Sequence, residues 1–170
     1  ADDDFSKNKS IAELTDWNIY SPVWAPVSLE DQWLKLQDKD PFDYAKVERK
    51  IPASKELKVS FDLKAGQNNK GTLHIEFLDE NGIACSRIEL TDDGIFRLKG
   101  GSRFANMMKY EAGKIYHVEA VLSTVDRNIQ VYVDGKRVGL RMFYAPVAAV
   151  ERIVFRTGVP RTFPTVDTPA

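Results

Sequence analysis

The stretch that most constrains the fold is Tyr116–Val138, which reads YHVEAVLSTVDRNIQVYVDGKRV. Apolar and polar residues alternate in two runs, Val118–Leu122 and Ile129–Val133, on either side of a polar turn. Period-two alternation is typical of strands with one buried face. Asp134-Gly135 follows the second run and favours a two-residue type I′ turn, because both central residues of that turn need positive φ. The stretch therefore predicts antiparallel strands joined by tight turns.

The same alternation recurs along most of the chain. Further strands are predicted at Gln32–Gln37, Tyr44–Ile51, Leu57–Ala65, Thr72–Leu78, Ser86–Thr91, Ile95–Lys99, Met107–Tyr110 and Arg152–Thr157. Asn81-Gly82, Asp93-Gly94 and Ala112-Gly113 supply additional turn signals. About eleven short strands, with one short helical turn at Ser10–Glu13, predict an all-β fold, a two-sheet antiparallel sandwich with little helix.

Length and composition favour one domain. The chain has 170 residues and a net charge of −1, which gives no reason to expect a nucleic-acid or membrane-surface partner. The single Cys85 excludes an internal disulfide, and we interpret it as a small buried thiol. We predict an N-terminal tail with the short helical turn at 1–16, the β-sandwich domain at 17–158, and a linker-like tail at 159–170.

The two ends bear on where the protein acts. The N-terminal ADDDFSKNKS lacks the basic and apolar regions of a signal peptide, and the C-terminal PRTFPTVDTPA is rich in proline, as linkers are. Either the protein is not exported, or the chain starts after processing or inside a longer polypeptide. We expect that the chain lies inside a longer polypeptide, which is extracellular or periplasmic.

The late hairpin resembles that of the concanavalin A-like and laminin-G-like sandwiches. In that family a strand with a central valine and a polar turn precede a strand ending in V-Y-V-D-G, which here is Val131–Gly135. The resemblance implies a concanavalin A-like jelly roll over residues 17–157. WLKLQDKDPFDYAKVERKIP, followed by the strand Val59–Leu63, resembles the opening of sandwich modules attached to polysaccharide-degrading enzymes of bacteria.

Glycan-cutting enzymes of this fold often carry the carboxylates of Glu-x-Asp-x-x-Glu on one strand. The nearest stretches are Glu76–Glu80 and Glu89–Asp93, and neither fits. Glu76 and Asp79 fall on opposite faces of a strand, and both stretches run into turns. We interpret these acids as solvated turn residues and expect that the domain is not itself an enzyme, whatever glycoside hydrolase or polysaccharide lyase it belongs to.

His74 and His117 are the only histidines, and each lies mid-strand between apolar neighbours. Alternation predicts that both are exposed on the solvent face. The alternative is that they are neighbours on adjacent strands, where the pair could bind a metal or act in a lyase or hydrolase.

Aromatic and arginine residues are the candidates for ligand binding. Flat rings suit the C–H faces of sugars, and arginine suits the carboxylate or sulfate of an acidic glycan. The candidate residues are Trp17, Tyr20, Trp24, Trp33 and Arg103, with Arg141, Arg152, Arg156 and Arg161 as further cations. The alternative is that the three tryptophans anchor the first segment onto the sandwich.

Calcium is a further option implied by the resemblance. Asp38, Asp40 and Asp43 in QDKDPFDY are the candidate ligands, and a solvated acidic turn is the alternative. No other cofactor is predicted.

The function predicted from these features is a non-catalytic carbohydrate-binding module of a larger secreted polysaccharide-degrading protein. Its partners would be a carbohydrate, with an acidic polysaccharide as one option, and a neighbouring catalytic domain of the same chain. The alternatives are a structural accessory domain that packs on that neighbour, and a glycan lyase or hydrolase. Because a fold does not determine a function, the prediction depends partly on the resemblance.

Overall fold

The computed structural model describes residues 1–158 and confirms the antiparallel β-sandwich. Its strands are β1 (Trp17–Tyr20), β2 (Val27–Glu30), β3 (Trp33–Leu36), β4 (Lys46–Ser54), β5 (Glu56–Lys64), β6 (Leu73–Leu78), β7 (Ala84–Leu90), β8 (Ile95–Gly100), β9 (Arg103–Lys109), β10 (Ile115–Ser123), β11 (Asn128–Val133), β12 (Lys136–Met142) and β13 (Val150–Thr157). Seven strands form one sheet in the order β1-β4-β13-β6-β7-β8-β9, and four form the opposing sheet in the order β12-β11-β10-β5. β2 and β3 pair with each other as a separate ribbon. The tail predicted at 159–170, with Arg161, lies outside the described residues.

The main core lies between the two sheets and takes one face of each. The inner face of the seven-stranded sheet carries the cross-strand row Val47, Phe155, Ile75, Ile88 and Leu98. The four-stranded sheet contributes the residues whose alternation predicted it, namely Val118, Ala120, Leu122, Ile129, Val131 and Val133, all buried. Burying each large apolar side chain stabilises the sandwich by about 1.5–3 kcal/mol, which holds the two faces together. The thiol of Cys85 is buried here as predicted, and burial raises its pKa to about 12.

The inner face at the β1–β4 end of the wide sheet has its own cover, the β2–β3 ribbon. Ala25, Val27, Ala45 and Val47 form a second buried cluster, against which Trp17, Ile19, Leu34 and Leu36 pack. The N-terminal segment closes this end, with the rings of Phe5 and Trp17 centred 5.8 Å apart. These covers lie on the inner side of the seven-stranded sheet and leave its outer face for other use.

The turns confirm the glycine signals and add one that the sequence does not mark. Asp134 (φ 50°) and Gly135 (φ 82°) form the predicted two-residue turn between β11 and β12. Asp31 (φ 50°) and Gln32 (φ 69°) form a similar turn between β2 and β3. Because Gln is not a residue type that favours positive φ, the sequence pattern extended the strand back to Gln32, whereas β3 begins at Trp33.

Two other boundaries differ from the prediction. Gly113 turns the chain with φ 79°, but β9 and β10 on either side belong to different sheets, so Ala112-Gly113 does not close a hairpin. β9 is longer than the predicted Met107–Tyr110, because Arg103–Asn106 pairs with β8 instead of forming a loop.

The only helical structure among residues 1–158 is two short 3₁₀ turns, Phe5–Lys7 and Ile11–Glu13. Ser10 precedes the second turn as predicted, but its side chain makes no capping hydrogen bond, and Glu13 Oε2 accepts one from the backbone N–H of Lys9 at 2.9 Å. Neither turn is long or apolar enough to cross a membrane.

Candidate functional site

The outer face of the seven-stranded sheet carries two rows of mostly polar and aromatic side chains. Strand pairing aligns the first row in the order Tyr20, Lys46, Arg156, His74, Glu89, Arg97 and Asn106. It aligns the second in the order Asn18, Glu48, Val154, Glu76, Arg87, Lys99 and Phe104. We call this surface the basic face, because its two rows hold five cations against three carboxylates.

Each of the three carboxylates is paired with a cation on a neighbouring strand or on the same strand. The ion pairs, with their N···O distances, are Arg97–Glu89 (2.5 Å), Arg87–Glu76 (3.3 Å), Lys46–Glu48 (3.6 Å) and Arg152–Glu48 (3.6 Å). Arg156 and Lys99 have no carboxylate partner within the described part of the chain. The positive charge of the basic face that remains uncompensated therefore resides on these two side chains.

Buried polar atoms without hydrogen-bond partners concentrate on this face. Of ten such side-chain atoms in residues 1–158, five belong to its two rows, namely Nδ1 and Nε2 of His74 and Nε of Arg87, Arg97 and Arg156. Two more, Nε of Arg152 and the hydroxyl of Tyr144, belong to side chains that contact residues of these rows. A buried polar group without a partner costs about 1–3 kcal/mol, so native folds rarely keep one without water, an ion or a ligand to satisfy it. Because neighbouring side chains cover these atoms, a ligand on this face would contact other atoms of the same side chains.

His74 lies at the centre of the basic face and is only 2% exposed. Alternation places it on the outer face, as predicted, but it is not solvent-exposed, because the long side chains of the adjacent rows cover it. Burial is the main cause that lowers its pKa to about 3, and repulsion from Arg87, Arg156 and Arg97 adds to the effect. Nδ1 lies 3.5 Å from Glu89 Oε2. The imidazole is therefore neutral near pH 7, with one nitrogen able to donate a hydrogen bond and the other able to accept one.

Aromatic rings hold the cations and rim the face at both ends. Tyr20, on edge strand β1, is 46% exposed and packs on Tyr44 with centroids 5.1 Å apart. Phe104, on edge strand β9, is also exposed. The cation–ring distances are 4.0 Å for Arg156 over Tyr44, 4.0 Å for Arg97 over Phe104 and 4.5 Å for Lys99 over Tyr144. Such contacts orient the cations from one side and leave their other side for a ligand.

Two open depressions lie away from the centre of the basic face. They have volumes of about 330 and 300 Å³ and lie at the β1–β4 edge and beside the N-terminal segment. Neither is lined by His74 or by the arginines around it. A polar sheet face with projecting rings suits an extended ligand laid across it.

Comparison with known proteins identifies the family. The family model described as "Sialidase-like, CBM domain", where CBM stands for carbohydrate-binding module, matches residues 17–170. The chain belongs to this family. It is a carbohydrate-binding module of the concanavalin A-like type, as the resemblance implied. No curated protein sequence matches the chain.

Solved structures agree on the fold. A structure named "Sialidase" is 88% identical with a TM-score of 0.95, and the match covers 100% of this chain and 16% of that chain. The carbohydrate recognition domain of Emp47p is 11% identical with a TM-score of 0.61, over 91% of this chain and 83% of that one. Sheep galectin-11, in complex with glycerol, is 16% identical with a TM-score of 0.50, over 65% and 88% of the two chains. The last two share only the fold with the module.

The structure separates the residues of the predicted tryptophan site. Trp17 lies on the inner side of β1 and packs near Phe155, so it anchors this edge strand, in line with the alternative interpretation. Trp24 is 66% exposed in the loop after β1, and Trp33 is half-buried on the ribbon. Of the predicted aromatic residues, Tyr20 is the one that lies on the basic face. Ligand binding by this set stays a prediction.

The predicted arginines also separate. Arg103 is exposed at the start of β9, on the side of the strand opposite Phe104 and the basic face. Arg141 lies on β12, where its side chain covers Gly100. Arg156 lies in the first row of the basic face, and Arg152 lies on the same side of β13, next to the second row.

The calcium candidates are occupied by local contacts. Asp38 Oδ2 accepts a hydrogen bond from the Thr157 hydroxyl at 2.8 Å, and Asp43 Oδ1 accepts one from the Tyr20 hydroxyl at 3.1 Å. Asp40 Oδ1 accepts one from the backbone N–H of Phe42 at 2.8 Å. In residues 1–158 no three His, Cys, Asp or Glu side chains are placed to hold a metal ion. Calcium binding by the three aspartates stays a prediction.

Two interpretations of titratable residues were wrong. Glu76 and Glu89 are not solvated turn acids, because strand pairing places each beside an arginine, with Glu89 buried and Glu76 partly buried. His74 and His117 are not neighbours, because β6 and β10 belong to different sheets. His117 is exposed, its Nδ1 lies 2.8 Å from Asp62 Oδ1, and its backbone N–H donates a hydrogen bond to Asp134 Oδ1 at 2.9 Å.

Sequence reasoning missed Arg87, Arg97 and Lys99. Their signal was the charged residue at every second position of SRIEL and FRLK, which is also what an ordinary solvated strand face shows. Only the pairing of β6, β7 and β8 brings these side chains together.

Proposed function

We propose that the module binds acidic glycans on the basic face. The observation that carries the proposal is the pair of cations on this face, Arg156 and Lys99, that have no carboxylate partner among residues 1–158. Guanidinium groups bind carboxylates and sulfates through paired, charge-assisted hydrogen bonds, and an ammonium group binds them as a point charge. Binding requires no covalent chemistry.

The exposed rings at the two ends of the face would hold the apolar sides of the sugar. Tyr20 and Phe104 project from the two edge strands, and the C–H face of a pyranose stacks on such rings. Polar groups in the middle of the face would orient the sugar, and the rings at its rim would supply contact area.

The 88% identical sialidase supports the choice of sialic acid, a sugar with a carboxylate, as the first ligand to test. We propose that the module belongs to a longer glycan-degrading protein in which it holds substrate for a catalytic domain of the same chain. We also propose that this protein is bacterial and acts outside the cell or in the periplasm. Detection of the full-length protein in culture medium or a periplasmic extract tests the location, and its confinement to the cytoplasm would refute it.

Calorimetry with sialyllactose and lactose tests the ligand. We expect binding of sialyllactose to exceed that of the neutral disaccharide by at least about tenfold, the difference of one good polar interaction. Equal binding of the two sugars would refute an acidic ligand.

Two alanine variants test the position of the site. Phe104→Ala should weaken sialyllactose binding about tenfold, because it removes the ring at the β9 end of the basic face. Trp24→Ala serves as the control, since Trp24 is exposed but lies off this face. Loss of binding in Trp24→Ala with unchanged binding in Phe104→Ala would place the site on the tryptophan segment instead.

A further inference from the structure

We infer that the basic face holds two separate anion subsites, one at Arg156 and one at Lys99, so that its full ligand is an acidic oligosaccharide with at least two charged sugars. The oligosaccharide would lie across the strands, from β13 to β8. The inference rests on the proposed function and adds to it the number of charges that the ligand carries and the direction in which it lies.

Two cations of the basic face keep an uncompensated charge. Arg156 and Lys99 are the two cations in the rows of the basic face that lack a carboxylate partner among the described residues. Each is instead held against an aromatic ring, Arg156 over Tyr44 at 4.0 Å and Lys99 over Tyr144 at 4.5 Å. Both cations are thus oriented while their charge stays available.

The two cations lie far apart on the sheet. β13 and β8 are separated by β6 and β7, so three strand spacings, about 14 Å, lie between them. The two residues occupy adjacent rows, which adds an offset of two residues, about 7 Å, along the strands, so their backbone positions are about 16 Å apart. The Arg156 guanidinium is held over Tyr44, which packs on Tyr20 of β1, on the side of β13 away from Lys99. One monosaccharide is therefore too small to bridge the two charges.

The surface between the two cations carries no uncompensated charge. Arg97 is compensated by Glu89 and Arg87 by Glu76, and His74 is uncharged. The carboxylate of a sugar that lies over this centre therefore has no free cation there, and it would point to solvent, away from both glutamates. Positive ends and a neutral middle match a ligand that places one charged sugar at each end of the face.

Calorimetry with α2,8-linked sialic acid oligomers of one to five units tests the inference. We expect affinity to rise at least about tenfold from the monomer to the trimer and then to level off, once both ends of the face are occupied. Oligogalacturonates of the same lengths distinguish a general requirement for two carboxylates from a requirement for sialic acid.

Arg156→Gln and Lys99→Gln should each weaken trimer binding about tenfold. Each should change monomer binding little, because a monomer can still bind at the remaining subsite. Both variants should fold, because neither substitution leaves a buried carboxylate unpaired, and a thermal melt checks this. Lys58→Gln is the matched control, since Lys58 is a cation on the opposing sheet, paired with Glu119.

Binding that does not depend on length, or an unchanged trimer affinity in either Arg156→Gln or Lys99→Gln, would overturn the two-subsite arrangement and leave the proposed function standing. Absence of binding at every length of both series would overturn the proposed function and the two subsites together.

Discussion

Acidification should destabilise the module through His74. The pKa of this residue is about 3 in the fold, against 6.5 for a free histidine side chain, because it is buried and lies beside Arg87, Arg156 and Arg97. Among residues 1–158, Glu89 is the carboxylate within ion-pair distance of it. Below pH 6.5 the His74 imidazole is therefore protonated in the unfolded chain but stays neutral in the folded module. The stability associated with the neutral imidazole is fully present above pH 6.5 and is lost as the pH falls towards 3.

The size of the effect follows from the two pKa values. At pH 5 the unfolded chain gains about 2 kcal/mol from protonating this histidine, and the limit below pH 3 is about 5 kcal/mol. Urea unfolding at pH 7.5 and pH 5.0 measures the loss, which should move the midpoint by about 1 M. The carboxylates of the chain add their own pH dependence, so the quantity that isolates His74 is the difference between the wild type and His74→Gln.

His74→Gln should lose about 2 kcal/mol less stability between these two pH values than the wild type. His117→Gln is the matched control, because it removes the exposed histidine and should retain the wild-type dependence on His74. An equal loss in wild type and His74→Gln would refute the reasoning. A His74 imidazole resonance that titrates near pH 6.5 in the folded module would refute it independently.

Three further substitutions test the scaffold by chemical denaturation. Gly139→Ala would place a Cβ 2.6 Å from Met107 Sδ and should cost about 1–3 kcal/mol, so unchanged stability would show that the methionine moves aside freely. Gly135→Ala should cost about 1–2 kcal/mol, because φ of 82° strains an L-residue, and a neutral result would contradict the turn geometry. Trp17→Ala should cost about 2 kcal/mol or more, whereas Trp24→Ala should change stability by less than about 0.5 kcal/mol, and comparable losses would contradict the anchoring role of Trp17.

The fold could be predicted because its main strands bury one face each. In β10 and β11 the buried apolar residues occupy every second position of their strands, and the Asp134-Gly135 turn joins β11 to β12. Where a signal depended on tertiary contact, prediction failed. Gln32 has positive φ although it is not one of the residue types that favour it, such as Gly or Asn. Arg103–Asn106 forms a strand only because β8 pairs with it.

Sheet membership is a second property that local pattern does not contain. Gly113 has the same positive φ as the hairpin glycines, yet it connects two sheets. The burial of His74 shows the same limit, because its own strand correctly points it outward. What covers it is a set of side chains from β7, β8 and β13, which are separated from it by up to about 80 residues of sequence.

The candidate site was harder to predict than the fold, because its residues are ordinary when taken one strand at a time. Tryptophans are conspicuous in a sequence, so Trp17 and Trp24 were among the predicted site residues. In the structure Trp17 anchors β1, and Trp24 lies exposed in a loop. Arginines at alternate positions do not stand out. Whether an arginine is neutralised or free depends on the residue opposite it, as with Arg97 beside Glu89 and Arg156 beside His74.

The basic face and the core are built by the same strands, and this has a consequence for binding. In β6, Ile75 and Phe77 enter the core while His74 and Glu76 face outward, so the core fixes the positions from which the outer side chains project. Side chains held by a packed sheet, and further restrained by ion pairs and aromatic rings, lose little conformational entropy when a ligand binds. A surface of this kind can hold a flexible oligosaccharide through several weak contacts without a loop that closes over it, and its specificity would come from the spacing of its charges.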